Sequence, residues 1–320
     1  MPQPVVLRCD DGVRLHGHLW QGRGDLAGRV IINPATGVRA QYYHRYAAFL
    51  AGQGFGVLTW DYRGIGLSRP AHLRGCGYRW RDWGERDVTA ALRFMLLRDD
   101  PGPLLVVGHS IGGFLPGLAH GADRIDRMLT VGAQYAWLGD YAPRQRLSLL
   151  LRRHLVMPAL TALCGYFPGR RLGWLEDLPA GVAWEWAFRR RRVEMSHPAG
   201  ERAAVLARMA SVRAEILAVS VSDDAYGTVP AVTRALGYAT GADRTVVRLH
   251  PSDYGRQSIG HFHMFHDSHR EGFWRDTLLW LRDGQNPWPT SVVWQRAPRL
   301  EPASDAQTGS AQVRTNRRPP

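Results

Sequence analysis

A short apolar run that leads into closely spaced glycines constrains this sequence more than any other feature. Residues 104–107 (L-L-V-V) are all apolar, which predicts a strand buried on both of its faces. The next five residues, Gly108-His109-Ser110-Ile111-Gly112, fit the pattern G-x-S-x-G, and a segment of small residues with helical character follows. A serine on so sharp a turn needs flanking glycines, because a Cβ there would collide with the crossing backbone.

The context of this pentapeptide predicts a serine nucleophile at Ser110. A strand precedes it and a helix follows, and such a helix directs its free N–H groups and the positive end of its dipole toward the site. An ordinary glycine-rich turn is the alternative, since the chain contains 35 glycines and the pattern can arise by chance. The strand and the helix on either side favour the nucleophile.

Apolar runs that alternate with amphipathic segments predict the fold class. The alternation of apolar and polar residues over 13–20 suits an antiparallel strand with one wet face, after a turn at Asp10-Asp11-Gly12. Further strands are predicted at 30–32, 56–60, 104–107, 128–131, 216–221 and 245–249, with helices at 42–51, 83–98 and 261–283. This order indicates right-handed crossovers, and therefore an α/β fold with a mostly parallel sheet and helices on both faces.

The alternation stops between residues 135 and 213, where a Leu-rich segment is followed by a Trp- and Arg-rich one. An insertion without strands between two sheet strands predicts a helical cap over the site, with Trp174 and Trp184 as candidate walls of a substrate pocket. The alternative is an interfacial membrane helix over 147–167. Pro158 and Gly165 interrupt that segment, which favours the cap.

These patterns predict four parts in the chain. Residues 1–134 and 214–289 form the N-terminal and C-terminal parts of one core, and residues 135–213 form the helical cap insertion. Residues 290–320 form a disordered tail, because Pro, Ser, Gln and Arg dominate there with little periodicity.

Composition narrows the classes of function. The chain of 320 residues has a net charge of +13, and all 41 of its basic residues are arginine. The arginines are scattered apart from Arg189–Arg192, and no nucleic-acid-binding motif accompanies them, so we expect no nucleic-acid partner. We recognise no secretory signal, no apolar run of transmembrane length and no metal-type spacing among the three cysteines. A cytoplasmic protein without a transmembrane segment is expected.

A serine nucleophile needs a base, and an acid that orients the base, on loops after later strands in the order Ser, Asp, His. Asp223 and Asp224 follow the predicted strand at 216–221, and His261 follows the last strand and its loop. His261 is expected to be the base rather than His263, because a base must present its imidazole from a loop.

Each of these candidates has an alternative explanation. One of the two aspartates is expected to cap the helix that begins near Thr228. The histidines at 261, 263, 266 and 269 suggest a metal cluster, but no acidic or cysteine ligand accompanies them at a recognised spacing. We therefore expect neither a metal nor a cofactor.

From about residue 5 to residue 285 the chain resembles the α/β-hydrolase superfamily. The resemblance rests on the segment 33–37 after a strand, D-Y-R-G-I-G-L-S at 61–68, G-H-S-I-G-G at 108–113, a late aspartate, and G-H-F-H-M-F at 260–265. More narrowly, the segments 169–186 and 222–228 are similar to an uncharacterised bacterial group near the monoglyceride lipases and serine aminopeptidases.

The resemblance implies Ser110 as nucleophile, Asp224 as acid and His261 as base. Asp224 is preferred to Asp223 because members of the superfamily place the acid third after a glycine, a position that Val221 occupies here.

The oxyanion loop departs from that pattern, since Asn33-Pro34 stands where many relatives have His-Gly. An oxyanion hole uses backbone N–H groups, and Pro34 has none to give. We expect Ile111 to supply one donor and Thr36 the other, with Ala35 and Gly37 as alternatives to Thr36.

The resulting expectation is a serine hydrolase that cleaves a carboxylic ester or thioester through an acyl-enzyme intermediate. The Trp and Leu residues of the insertion favour a small-molecule substrate with an apolar acyl or aromatic part. An amide or peptide hydrolase is one alternative, and a non-catalytic binding protein with the same fold is another.

Overall fold

The computed structural model describes residues 2–24 and 26–298 of the chain. The strands within these ranges are β1 (Gln3–Arg8), β2 (Arg14–Trp20), β3 (Gly28–Asn33), β4 (Phe55–Trp60), β5 (Leu104–His109), β6 (Arg127–Val131), β7 (Tyr166–Phe167), β8 (Leu178–Pro179), β9 (Glu215–Val221), β10 (Asp243–Leu249) and β11 (Val292–Arg296). Nine of them form one sheet in the order β1-β2-β4-β3-β5-β6-β9-β10-β11. From β4 to β10 in this order the strands run parallel, which confirms the predicted mostly parallel α/β sheet.

The burial of the strands explains why these segments form the sheet. All six residues of β5 are buried, because the sheet is covered on both faces there. Successive side chains of a strand point to opposite faces. Leu104 and Val106 accordingly join one hydrophobic cluster, whereas Leu105 and Val107 join a second one on the other face. The strand β2 alternates between buried and more exposed residues and pairs antiparallel with its neighbours, as its sequence predicts.

Helices cover both faces of the sheet. The α-helical segments are α1 (His44–Gly52), α2 (Trp80–Asp82), α3 (Thr89–Leu96), α4 (Ile111–Phe114), α5 (Pro143–Leu150), α6 (Met157–Cys164), α7 (Ala180–Ala187), α8 (Arg202–Ala210), α9 (Val229–Leu236) and α10 (Arg275–Asp283). Leu92, Val205 and Val232 bring α3, α8 and α9 into the first cluster, and Tyr46 and Leu281 bring α1 and α10 into the second.

The segment 135–213 is mostly helical, but two of its features differ from the prediction. It contains the two-residue strands β7 and β8, which pair antiparallel. Its last helix, α8, packs on the sheet through Val205 and Met209. The residues of the segment that line the cavity described below lie between 136 and 186. The part that covers the site therefore ends before α8 begins.

A continuous helix, Pro143–Cys164, joins α5 and α6 through a π-helical turn at Leu151–Val156. Pro158 lies inside this continuous helix, two residues after the π-helical turn, and does not interrupt it. Gly165 ends it with a φ of 75°.

Among the residues that the structure describes, this helix is long and apolar enough to cross a membrane, judged by length and composition alone. The side chains that pack against the protein recur at every fourth position: Leu149, Arg153, Met157 and Thr161. A stripe of leucines lies exposed: Leu147, Leu151, Leu155 and Leu163. The helix thus covers the cavity with one face and turns its apolar leucine stripe to solvent.

Two predictions near the C-terminus are wrong. The predicted helix over 261–283 is regular only in α10, because two short 3-10 turns and a π-helical turn precede it and His266 between them is extended. Residues 292–296, assigned to the tail, form β11 at the sheet edge. Trp294 is half-buried, and the other four residues of β11 are exposed. Main-chain pairing therefore holds this strand, and its burial pattern does not alternate as that of β2 does. The remainder of the predicted tail, 299–320, lies outside the described residues.

The loop after β4 is held by a buried ion pair. The Arg63 side chain is 2% exposed, and its Nε donates to Asp87 Oδ1 at 2.6 Å while its Nη1 donates to Asp11 Oδ2 at 2.7 Å. Asp87 Oδ2 also accepts from the Arg63 backbone N–H at 2.9 Å. A buried charge is tolerated when it is paired and hydrogen-bonded in this way.

We expect Asp87→Ala to lower the free energy of unfolding by about 3 kcal/mol, because Arg63 then loses the carboxylate that is fully buried with it. The matched control is Glu215→Ala. Its partner Arg127 lies 3.5 Å away, and the Glu215 side chain is 58% exposed, so the loss should stay within about 1 kcal/mol. Urea unfolding followed by circular dichroism measures both, and equal losses would contradict the structural role of the Arg63–Asp87 pair.

Candidate active site

Ser110 lies on a sharp turn between β5 and α4. Its backbone adopts φ 53° and ψ −124°, a conformation that a residue with a Cβ rarely takes and that costs roughly 1–3 kcal/mol. A Cβ on Gly108 would lie 2.3 Å from Gly113 Cα, and one on Gly112 would lie 2.2 Å from Asn33 O. The steric requirement predicted for the two flanking glycines is therefore met.

The structure brings Asp224 and His261 together from loops after β9 and β10. His261 Nδ1 lies 2.7 Å from Asp224 Oδ2, and Asp224 Oδ1 accepts from the backbone N–H groups of Tyr226 at 2.8 Å and Gly227 at 2.9 Å. Burial acts to raise the pKa of Asp224, but the charge of His261 and these hydrogen bonds outweigh it and lower the pKa. The carboxylate is thus ionised and holds His261 by one ring nitrogen.

Asp223 serves a different loop. Its two carboxylate oxygens accept from the backbone N–H groups of Ile259 and Gly260 and from the Ser258 hydroxyl, at 2.8–2.9 Å. Neither aspartate caps the next helix, as one of them was expected to do, because the Thr228 hydroxyl accepts from the Ala231 N–H there. Asp223 instead ties the loop that carries His261 to the end of β9.

Ser110 and His261 line the same cavity, which has a volume of about 530 Å³. Gly132, just after β6, lies against the back of the site, where a Cβ would come within 2.9 Å of Asp224 Oδ2 and 3.0 Å of His261 Cε1. Its φ of 57° also favours glycine. Sequence reasoning missed this residue, because a lone glycine after a strand carries no signal of its own.

Comparisons with known proteins agree with this architecture. The sequence model of the hydrolase family described as serine aminopeptidase matches residues 24–181. The fold is similar to that of the α/β-hydrolase GrgF from Penicillium sp. sh18, with a TM-score of 0.57 at 15% identity over 88% of this chain and 98% of that one. It is also similar to the esterase EaEST from Exiguobacterium antarcticum, with a TM-score of 0.56 at 16% identity over 88% and 100%. The chain has the α/β-hydrolase fold. None of the curated proteins matches it.

In this α/β-hydrolase fold, contacts of the loop after β3 reduce the number of candidates for the second oxyanion donor. The Ala35 N–H already donates to the Tyr43 hydroxyl at 3.0 Å. Gly37 is not among the residues that line the cavity, whereas Thr36 and Ile111 are. The Thr36 N–H donates to no residue in the ranges that the structure describes. Thr36 and Ile111, the pair chosen from the sequence, thus stay the predicted donors.

His109, inside the pentapeptide, joins the active-site loops through a chain of hydrogen bonds. His109 Nε2 lies 2.8 Å from the carbonyl of His261, and Nδ1 lies 2.7 Å from the Tyr43 hydroxyl. A carbonyl can only accept, so Nε2 carries the proton and the Tyr43 hydroxyl donates to Nδ1. Burial, reinforced by the nearby His261, lowers the pKa of His109 to about 3, which keeps this ring neutral. The roles of His109 and Tyr43 could not be inferred from the sequence, because they depend on contacts with distant residues.

The aromatic residues of the insertion do not all reach the cavity. Trp174 and Trp186 line it, whereas Trp184 does not and stacks on Phe188 at the surface with ring centroids 5.7 Å apart. The expectation for Trp184 is therefore wrong. Trp184 and Trp186 are two positions apart on α7, so their side chains point to different sides of the helix.

The histidine series after His261 forms a small cluster. His263 Nδ1 lies 3.1 Å from His269 Nε2, and the rings of His263 and His266 stack with centroids 4.8 Å apart. Throughout residues 2–24 and 26–298, no group of three His, Cys, Asp or Glu side chains is arranged as metal ligands would be.

We expect Asp223→Ala to raise the hydrogen-exchange rates of the Ile259 and Gly260 amides by about tenfold, because each loses a charge-assisted hydrogen bond to this carboxylate. The matched control is Asp253→Ala, which removes a comparable bond to the His250 N–H on a neighbouring turn. Exchange followed by NMR checks both. Unchanged rates at residues 259 and 260 would contradict the tie between the two loops.

Proposed function

We propose that the protein is a serine hydrolase that cleaves a carboxylic ester or thioester through an acyl-enzyme intermediate. The observation that carries the proposal is the convergence of three groups at one cavity. Ser110 stands on a strained turn that faces it, His261 lines it from another loop, and Asp224 bonds the far nitrogen of His261. Nucleophile, base and orienting acid need this arrangement, which supports the assignment.

In the proposed reaction His261 Nε2 takes the proton of Ser110 as the hydroxyl attacks the acyl carbonyl. The negative charge that develops on the carbonyl oxygen is stabilised by the N–H groups of Ile111 and Thr36. His261 then gives its proton to the leaving alcohol or thiol, and a water molecule hydrolyses the acyl-enzyme by the same steps. Asp224 stays ionised throughout and stabilises the imidazolium.

Hydrolysis of an amide or peptide is the second candidate, favoured by the description of the family that matches residues 24–181. An aminopeptidase must bind the free ammonium group of its substrate, which calls for a carboxylate in the pocket. Among the described residues that line the cavity there is no Asp or Glu, whereas Arg152 and Arg153 are present. A cavity with this charge repels an ammonium group, so we favour an ester or thioester.

We expect Ser110→Ala to lower the turnover of p-nitrophenyl acetate by several powers of ten and to abolish labelling by a fluorophosphonate, because the nucleophile is lost. The thermal midpoint should not fall. Ser148→Ala, at an exposed position of α5, is the matched control and should keep both activity and labelling. Wild-type turnover by Ser110→Ala would contradict the proposal, and absence of labelling in the wild type would favour a non-catalytic binding protein.

We expect His261→Ala to abolish fluorophosphonate labelling of Ser110, because no other base then reaches the hydroxyl. His263→Ala is the matched control. Its imidazole contacts His269 rather than Asp224, so labelling should stay within a few-fold of wild type. Labelling rates measured by gel fluorescence compare the two variants, and the reverse pattern would move the base to His263.

A further inference from the structure

An arginine without a counter-ion is buried at the wall of the active-site cavity. Arg153 lies in the middle of the helix Pro143–Cys164 and is 5% exposed. Its Nε donates to the carbonyl of Trp186 at 2.6 Å, while Nη1 and Nη2 are buried and have no hydrogen-bond partner in the part of the chain that the structure describes. The two nitrogens that form the fork of the guanidinium are thus unused.

The surroundings of Arg153 do not neutralise its charge. The groups that act on it are the hydroxyls of Tyr141 and Tyr135, and a second buried arginine, Arg189, adds positive charge nearby. Across the described ranges no carboxylate lies within ion-pair distance of Arg153. Burial lowers the pKa of Arg153, but a guanidinium stays protonated at neutral pH. The protein therefore holds an unpaired positive charge at the cavity.

A purely structural role accounts poorly for this arrangement. The single bond from Nε to Trp186 needs one N–H donor, which a neutral side chain such as glutamine also supplies. A charge buried without a partner destabilises the folded state, so a structural residue at this position would gain from losing it. An anion that enters the cavity with the substrate would supply the missing partner.

We propose that Arg153 binds a carboxylate of the substrate, so that the substrate is an ester or thioester that carries a second, anionic group. The planar fork of Nη1 and Nη2 matches the two oxygens of a carboxylate. Tyr141 and Trp186 stand beside the guanidinium in the cavity wall with further polar hydrogens. Leu149 and Met157, on the same helix face as Arg153, line the cavity and suit an apolar chain between the two polar ends.

The inference rests on the proposed hydrolase function for the ester that Ser110 attacks, so the test has one arm that needs no turnover. In this arm, free suberate and octane-1,8-diol, a neutral compound of equal chain length that a hydrolase cannot cleave, are compared as stabilisers by thermal unfolding. Suberate should raise the melting temperature of the wild type but not that of Arg153→Gln, whereas the diol should have the same effect on both proteins. Binding that favours the folded state raises stability by mass action.

The second arm measures turnover with two matched pairs of esters. Mono-p-nitrophenyl esters of adipate to sebacate are compared with p-nitrophenyl esters of the monocarboxylic acids of equal length, which places the charge on the acyl side. 4-Acyloxybenzoates are compared with neutral phenyl esters, which places it on the leaving side. In the pair that places the charge on the correct side, kcat/KM of the wild type should be higher for the acidic ester by about tenfold or more, as expected for a charge-assisted contact.

The matched variants are Arg153→Gln and Arg152→Gln. Arg152 also lines the cavity, but it is exposed and lies over the Trp174 ring at 5.3 Å. Arg153→Gln should lose the preference for the acid, so that the ratio of kcat/KM between acidic and neutral esters falls by about tenfold, and Arg152→Gln should keep most of this preference. The melting temperature of Arg153→Gln should equal or exceed that of the wild type, because an unpaired buried charge is removed. A purely structural arginine would give the opposite shift.

Four results would overturn the inference. These are equal turnover of acidic and neutral esters by the wild type, a preference that survives in Arg153→Gln, equal stabilisation of both proteins by suberate, and no stabilisation of the wild type. The comparison of acidic with neutral esters uses the wild type alone, so it tests the inference even if Arg153→Gln does not fold. If no ester is cleaved but suberate stabilises only the wild type, the hydrolase proposal fails and the carboxylate site stands.

Discussion

The close contact between the Ser110 turn and the end of β3 is the constraint on which the rest of the site depends. The backbone of the turn passes so near Asn33 that no side chain fits at Gly112. The Asn33 amide then bridges two elements, since its Nδ2 donates to Gly112 O at 3.2 Å and its Oδ1 accepts from Trp60 Nε1 at 3.2 Å. Thr36, three residues after Asn33, and Ile111, the first residue of α4, line the same cavity, and an oxyanion site needs two N–H groups that converge.

A chain of neutral hydrogen bonds holds two further loops in register with that turn. The chain from Ala35 through Tyr43 and His109 to the His261 carbonyl connects the loop after β3, the serine turn and the histidine loop. Because burial holds His109 neutral, the chain keeps a single arrangement of protons across the working pH range. The contact of the Asp224 carboxylate with His261 is separate from this chain, so it can respond to the reaction while the chain stays unchanged.

Local pattern was enough to predict the parallel sheet and the sharp turn at Ser110, because both depend on short-range sequence, whereas the choice of Asp224 over Asp223 rested on the resemblance to the α/β-hydrolase superfamily. The helix expected from 261 onward was wrong, since contacts from distant residues such as His109 fix the backbone of that loop. The strand Val292–Arg296 was missed because its pairing uses main-chain groups and leaves no hydrophobic period. Arg153 was missed for a similar reason: its meaning comes from burial and from the lack of a partner, neither of which a single residue type reveals.

Two buried arginines, one in the scaffold and one at the cavity, differ in the partners that their guanidinium groups have. Arg63 and Arg153 are almost equally buried, yet Arg63 contacts the carboxylates of Asp11 and Asp87 whereas Arg153 has only a carbonyl. A fold that pairs one buried guanidinium so fully can pair another, and its failure to do so at the cavity carries a cost in stability. The strained backbone of Ser110 has a comparable cost at the same cavity. A loss of stability of this kind is retained where binding or reaction of a ligand offsets it. Arg153 and Ser110 both line the same cavity.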